Sequence, residues 1–302
     1  MGSNTTKKAT NVAAENAKAF IAGGIGGVCA VLVGHPFDLT KTRLQTAPTG
    51  TYTGALDVVK KALARDGITG MYRGIVPPLL GVTPIFAVSF WAYDASKQLI
   101  YALTPNRRSE GLSTAELAAA GFLSAVPATA VTAPVERAKV LLQIQGQGGT
   151  EQKYKGVLDV IKHLYKEGGL RSIFRGSGAT LMRDGPGSAA YFAAYEVTKK
   201  ALTPAGHSPS DLNLSAIVLA GGMAGVAMWT LAIPPDVIKS RIQSAPTGTY
   251  SGIMDCARKT IAQDGAGALF KGLGPAMARA FPANAATFLG VEASRKLLNS
   301  IF

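Results

Sequence analysis

Pro36-Phe37-Asp38-Leu39-Thr40-Lys41 returns 98 residues later as Pro134-Val135-Glu136-Arg137-Ala138-Lys139, and after a further 100 as Pro234-Pro235-Asp236-Val237-Ile238-Lys239. Each copy is a proline, an acid two places on and a lysine three beyond the acid. Four residues past each lysine stands a glutamine: Gln45, Gln143 and Gln243. The run from Ala47 to Gly54, APTGTYTG, comes back as APTGTYSG from Ala245 to Gly252, and Tyr154-Lys155-Gly156 is its shorter counterpart. Self-similarity at a fixed period marks a chain built from tandem units, here three of about 100 residues.

Each signature closes a stretch without Asp, Glu, Lys or Arg. Ala19 to Phe37, Gly74 to Tyr93, Leu117 to Val135 and Leu212 to Pro235 are charge-free and approach or exceed the roughly 20 residues that cross a hydrocarbon core. Two further apolar stretches, Gly178 to Leu202 and Gly274 to Leu298, carry charges in their first halves: Arg183 with Asp184, and Arg279. Six spans place both termini on one side of the membrane. The composition agrees: 47% hydrophobic residues, 35 glycines and only 16% charged residues exclude a disordered polycation and disfavour a soluble enzyme. Cys29 and Cys256 form no disulfide framework.

The repeats share finer features. Tyr72-Arg73-Gly74, Phe174-Arg175-Gly176 and Phe270-Lys271-Gly272 follow amphipathic stretches, each preceded by an acidic-Gly pair except that Glu167 stands one place early relative to Gly169. The second span of each unit ends in Tyr93-Asp94-x-x-Lys97, Tyr195-Glu196-x-x-Lys199 or Val291-Glu292-x-x-Arg295, and ten residues before each acid lies Pro84, Pro186 or Pro282. Proline bends a helix, and an acid and base three apart share one face. Threefold symmetry then lets each acid meet a base of the next unit. Asp38, Glu136 and Asp236 with Lys41, Lys139 and Lys239 form one ring; Asp94, Glu196 and Glu292 with Lys97, Lys199 and Arg295 form another. Water-accessible pairs contribute about 0 to 1 kcal/mol each, which makes such a ring a latch of a few kcal/mol.

These motifs resemble the mitochondrial carrier family, and the resemblance runs from Ala17 to the end of the chain. It implies an all-α membrane protein: six transmembrane helices in three tandem repeats of two, a pseudo-threefold barrel with three short matrix-side helices. The organisation expected is an N-terminal tail 1–16 and carrier repeats 17–110, 111–206 and 207–302 within one membrane domain. The resemblance also implies the mitochondrial inner membrane, both termini toward the intermembrane space, and solute exchange by alternating access. The signature ring becomes a matrix gate braced by Gln45, Gln143 and Gln243, and the second ring a cytoplasmic gate. Cardiolipin is implied at helix starts near Gly54, Gly74, Gly156, Gly176, Gly252 and Gly272.

Charges inside a membrane span mark a pathway or site. Arg183 and Arg279 each lie 13 residues before the acid that ends their span, about 20 Å away at ~1.5 Å per residue, near the midplane. The matching position of the first repeat is Gly81, followed by Val82, which offers room and apolar surface. One anion and two cations suit a solute of both signs. Arg183-Asp184 with Arg279 resembles the carnitine/acylcarnitine branch of the family, and so do the runs Ile233 to Arg241 and Ala133 to Arg137. By that resemblance Arg279 holds a carboxylate, Asp184 a quaternary ammonium, and Arg183 assists. Phe86, Tyr191 and Trp229 are candidate aromatic faces for the ammonium, and His35, just before the first signature, is a packed polar residue or a cavity wall.

Two departures stand out: Leu141 where the other repeats have Arg43 and Arg241, and Val291 where they have Tyr93 and Tyr195. No P-loop, HExxH, GxSxG or paired CxxC pattern occurs, so neither an enzyme nor a cofactor is expected. The net charge of +13 lies largely at span ends and in loops, which suits anionic lipid better than nucleic acid, and no obligate protein partner is evident. A basic amino-acid carrier of the ornithine type is the alternative, and a non-transporting adaptor on the same scaffold the alternative of another class.

Overall fold

The computed structural model describes residues 2–104, 112–147, 153–203 and 214–301, and these residues are helical with short connections. Six long helices alternate with short ones: α1 (Gly2–Thr46), α2 (Ala55–Met71), α3 (Val76–Leu103), α4 (Thr114–Ile144), α5 (Val157–Ile173), α6 (Ser177–Leu202), α7 (Leu214–Ser244), α8 (Ile253–Asp264) and α9 (Leu273–Ile301). Residues 2–16, the expected N-terminal tail, continue α1 as helix.

The long helices close into a ring. Within repeats α1 meets α3, α4 meets α6 and α7 meets α9; between repeats α3 packs along α4, α6 along α7 and α9 along α1. The three signature-bearing helices α1, α4 and α7 also touch one another, so one end of the barrel is drawn together. Prolines lie inside every long helix, among them Pro36, Pro134 and Pro234 of the signatures and Pro84, Pro186 and Pro282 of the partners. Each removes an N–H from the helical ladder and bends its helix.

Large apolar side chains are exposed on the long helices, including Ile21, Ile25 and Leu32 on α1, Phe90 and Trp91 on α3, and Phe281 and Phe288 on α9. An apolar belt of this size on an all-helical ring suits lipid, where every backbone group must be satisfied within its own segment. Ile21–Thr46 and Val76–Leu103 are long and apolar enough to span on composition alone.

Short helices cover the sealed end. Leu39 packs with Ala62 and Met71 in the first repeat, Leu141 and Leu142 with Val160 and Leu164 in the second, and Ile238 and Ile242 with Cys256 in the third. Gly67 and Gly169 take φ of +64° and +60° at kinks within α2 and α5, and Gly265 takes φ of +79° just past the end of α8. In the middle repeat Gly168 supplies an additional non-helical residue before Gly169, which absorbs the shifted position of Glu167.

The aromatic-basic-Gly triplets have a packing reason. Gly74, Gly176 and Gly272 adopt φ of +74°, +91° and +91°, and a Cβ on them would stand 3.0 Å from Gln143, 2.9 Å from Gln243 and 2.8 Å from Lys41. Glycine alone tolerates both the left-handed backbone and that approach. Between α1 and α9 the close contact falls at Gly26 and Gly290, whose backbones nearly touch.

Candidate functional site

At the sealed end the signature ring is complete. Lys139 Nζ is 2.7 Å from Asp38 Oδ2, Lys41 Nζ 2.8 Å from Asp236 Oδ2, and Lys239 Nζ 3.2 Å from Glu136 Oε1. Every pair joins two different repeats, as threefold symmetry demands. The pairs are less accessible than the sequence suggests: Asp236 is 0% exposed and Lys239 7%. Removing one partner of a buried pair leaves an uncompensated charge and costs roughly 3–5 kcal/mol, so this latch resists one-sided disruption more than the surface-pair estimate implies.

The bracing is uneven. Gln45 Nε2 donates to Asp236 Oδ2 at 2.9 Å, and Ser240 Oγ donates to Gln45 Oε1 at 2.8 Å. Gln143 and Gln243 are equally buried, yet their amides have no hydrogen-bond partner among the described residues. They therefore do not brace pairs as Gln45 does. Val140, with no hydroxyl, occupies the place of Ser240 in the second repeat, and Glu136 is instead held by Thr180 Oγ1 at 3.2 Å and by Arg183.

The charged residues of the spans join this ring. Arg183 Nη1 lies 2.8 Å from Glu136 Oε1 and 3.4 Å from Asp236 Oδ1, while its Nε lies 2.7 Å from Asp184 Oδ1. Arg279 Nε stands 3.0 Å from Asp38 Oδ1, within ion-pair range although not aligned as a hydrogen bond. The sequence placed these arginines at the midplane, apart from the gate. Their long side chains instead reach the ring acids, so site and gate form one electrostatic network. Asp184 is the acid of this network that remains most open, its side chain 37% exposed.

Gly81 takes a different part from the one expected. It is buried, and a Cβ there would lie 2.8 Å from a methyl of Val135, so it is the point where α3 and α4 press together and not open space for a solute. Val82 beside it is half-buried. Gly34, which sequence reasoning passed over, has the role once assigned to Gly81: a Cβ there would stand 2.7 Å from Arg279 Nε, so its bareness lets the guanidinium cross the face of α1. Its only signal was a glycine two places before the signature proline.

The aromatic candidates divide. Trp229 carries Lys41 Nζ 5.1 Å from its ring centroid and packs against Ile233, Val237 and Ala276; it serves the ring. Tyr191 stacks on Tyr195 with centroids 6.4 Å apart, and the Phe86 side chain lies outside the described residues. His35 is fully buried, stacks with Tyr72 and places Nε2 2.8 Å from the carbonyl of Arg73. It is a packed polar residue.

At the opposite end two acids pair within their own helices. Asp94 pairs with Lys97 of its own helix at 2.7 Å, and Glu292 pairs with Lys296 at 2.8 Å instead of with Arg295. Lys97 and Lys199 sit over the rings of Tyr93 and Tyr195 at 4.9 and 5.1 Å. The Glu196 side chain lies outside the described residues. Neither Asp94 nor Glu292 pairs with another repeat among the described residues, so these two acids do not join a second ring as expected. Lys296 was missed, though its i, i+4 spacing from Glu292 pointed to it.

Below the ring, loops lace neighbouring repeats. Arg43 Nε donates to the carbonyl of Gln143 at 3.0 Å, and Arg241 Nε to that of Gln45 at 3.0 Å. Thr49 bonds to Asp264 and Thr247 to Glu167. Burial raises the Asp264 carboxyl, but bonds from Thr49 and Arg241 outweigh it and leave its pKa lowered; that of Glu167 is lowered chiefly by the Thr247 hydroxyl.

A threefold helical barrel with a charged interior, shut at one end by inter-repeat ion pairs, is a membrane solute carrier. Residues 13–103, 110–206 and 210–302 each match the family described as mitochondrial carrier protein, and the chain belongs to that family, which comprises carriers and not enzymes. It is 48% identical to the mitochondrial carnitine/acylcarnitine carrier protein of Mus musculus, over 94% of this chain and 95% of that one. It is 45% identical to the mitochondrial carnitine carrier of Saccharomyces cerevisiae, over 95% and 90%. A third relative, mitochondrial magnesium exporter 1 of Drosophila melanogaster, is 43% identical over 98% of both chains.

Proposed function

We propose that this carrier exchanges carnitine and acylcarnitines across the mitochondrial inner membrane by alternating access. One observation carries the reading: Arg279 and Arg183 are each engaged by a ring acid while Asp184 stays accessible. A zwitterion offers what such a network lacks. Its carboxylate competes with Asp38 for Arg279, and its cation meets Asp184 and so weakens the hold of Asp184 on Arg183. The first step takes a counter-charge from the ring, and the second seats the cation on the accessible acid. A solute that binds the half-open state better than the sealed one shifts the balance between them, whereas uniform affinity would shift nothing.

The sealed end faces the matrix and both termini face the intermembrane space in this reading. Cardiolipin is the expected structural lipid. The starts of α2, α5 and α8 at Gly54, Gly156 and Gly252 support that, since none has a side-chain cap and helix N-termini attract anions.

Reconstituted protein loaded with carnitine should take up external labelled carnitine in counterflow, and empty liposomes should not. Uptake of ornithine instead would favour the basic amino-acid reading, and no uptake of either would favour an adaptor. The name of the Drosophila relative makes magnesium a further arm. Among the described residues no three His, Cys, Asp or Glu converge as a metal site, and saturable magnesium movement without carnitine exchange would overturn the proposal.

A further inference from the structure

The second repeat exchanges two residues one helical turn apart. Where the first and third repeats have Leu39 with Arg43 and Val237 with Arg241, it has Arg137 with Leu141. Positions four apart lie on one helix face, so the guanidinium has moved about 6 Å along α4 at ~1.5 Å per residue. Arg43 and Arg241 spend theirs on carbonyls of the neighbouring signature helix; Leu141 cannot. A cavity of about 740 Å³ opens there where the second and third repeats meet the end of α1, bordered by Arg137, Leu141 and Gln243.

Two residues lining this cavity carry buried polar atoms with no hydrogen-bond partner among the described residues. Arg137 is 2% exposed, and its Nε and Nη1 are unbonded among the described residues; Gln243 is 0% exposed with neither amide atom bonded. Burying such donors unpaired is costly. Glu167, the acid on the same wall, accepts from Thr247, and Arg241 is paired with Asp264 at 2.5 Å. With Lys153 the lining carries three cations and two carboxylates, an excess of one positive charge. Ile144 and Leu164 add apolar wall.

We infer that this cavity is a binding site for a small organic monoanion, a carboxylate with a short aliphatic body, received by the Arg137 guanidinium and the Gln243 amide. A planar guanidinium matches a carboxylate, the surplus charge matches a monoanion, and the two acids of the lining oppose a phosphate dianion. The bound anion ties α4 to α7 beneath the ring and so favours the sealed conformation. This inference does not depend on which solute the central site carries.

Thermal unfolding of the purified full chain in detergent, at constant ionic strength, tests it with butyrate, inorganic phosphate and chloride as probes. Butyrate should raise the unfolding temperature saturably, and chloride should not. Arg137→Leu, which installs the residue of the first repeat, should fold and need roughly tenfold or more butyrate for the same rise. Leu141→Arg, which fills the cavity with the arginine that the other repeats carry at this position, should lose the response as well. The inference falls if butyrate gives no saturable rise with the unsubstituted protein, if either folded variant responds like it, or if phosphate protects and butyrate does not.

Discussion

Arg279 Nε stands 3.0 Å from Oδ1 of Asp38, so a residue proposed to hold the solute also holds one acid of the gate. Arg279→Ala therefore removes two interactions at once. We expect normal membrane insertion with exchange reduced by roughly 30-fold to several-thousand-fold, the range for truncating a desolvated charge partner at about 2 to 5 kcal/mol. Exchange in proteoliposomes beside a folded-state assay checks this; full activity in a folded variant would remove Arg279 from the site.

Gly34 gives a gentler handle on the same arginine. A Cβ at 2.7 Å from Nε meets the mobile end of a flexible side chain, so Gly34→Ala should displace the guanidinium and leave the helices in place. Misplacing a positioning group by about 1 Å costs up to roughly a hundredfold. The expected result is weakened exchange with an unchanged unfolding temperature; a large drop in stability would mean that the residue serves helix packing instead.

The ring makes a prediction of coupling. Asp38→Lys and Lys139→Asp should each impair transport, and together they should restore more than either allows, with a coupling of about 0.5–3 kcal/mol. Strict additivity would argue that the 2.7 Å contact contributes nothing to function. Asp236 should be the most sensitive acid of the three for stability, because Lys41, Lys239, Arg183 and Gln45 all converge on its fully buried carboxylate. Asp236→Asn is expected to lower stability by roughly 3–5 kcal/mol, read as a larger fall in unfolding temperature than Asp38→Asn gives.

The ring partners were legible because three copies of one motif at regular spacing leave a cyclic pairing as the natural arrangement. The merger of site and gate was not. Helical rise places Cα atoms, and the Cα of Arg183 does lie deep in α6, but an arginine side chain spans several ångströms and its direction follows from neighbours on other helices. Gly81 was misread for a related reason. A missing side chain signals either space or close approach, and only the position of Val135 on α4 decides between them. The second gate shows a further limit, since a sequence encodes all its conformations at once and the pairing of Asp94 with Lys97 or with another repeat depends on which end is closed.

Asp184 separates the two leading solutes. It pairs with Arg183 at 2.7 Å yet keeps 37% of its side chain exposed, so it can accept a cation without first leaving the protein interior. A quaternary ammonium has a fixed positive charge and no N–H donors, and what it needs is one negative charge nearby. Asp184→Glu should then retain measurable carnitine exchange, and Asp184→Asn should lose most of it. A primary ammonium differs because it donates directional hydrogen bonds that an amide oxygen still accepts, so an ornithine-type carrier would partly tolerate Asn. The substitution also frees Arg183 from one of its three acids, which leaves more of its charge to Glu136 and Asp236 and should tighten the sealed state. Carnitine uptake and unfolding temperature measured together distinguish these contributions: lost uptake with equal or greater stability is the expected pair. Near-normal carnitine uptake by the Asn variant would falsify the assignment of the ammonium to Asp184.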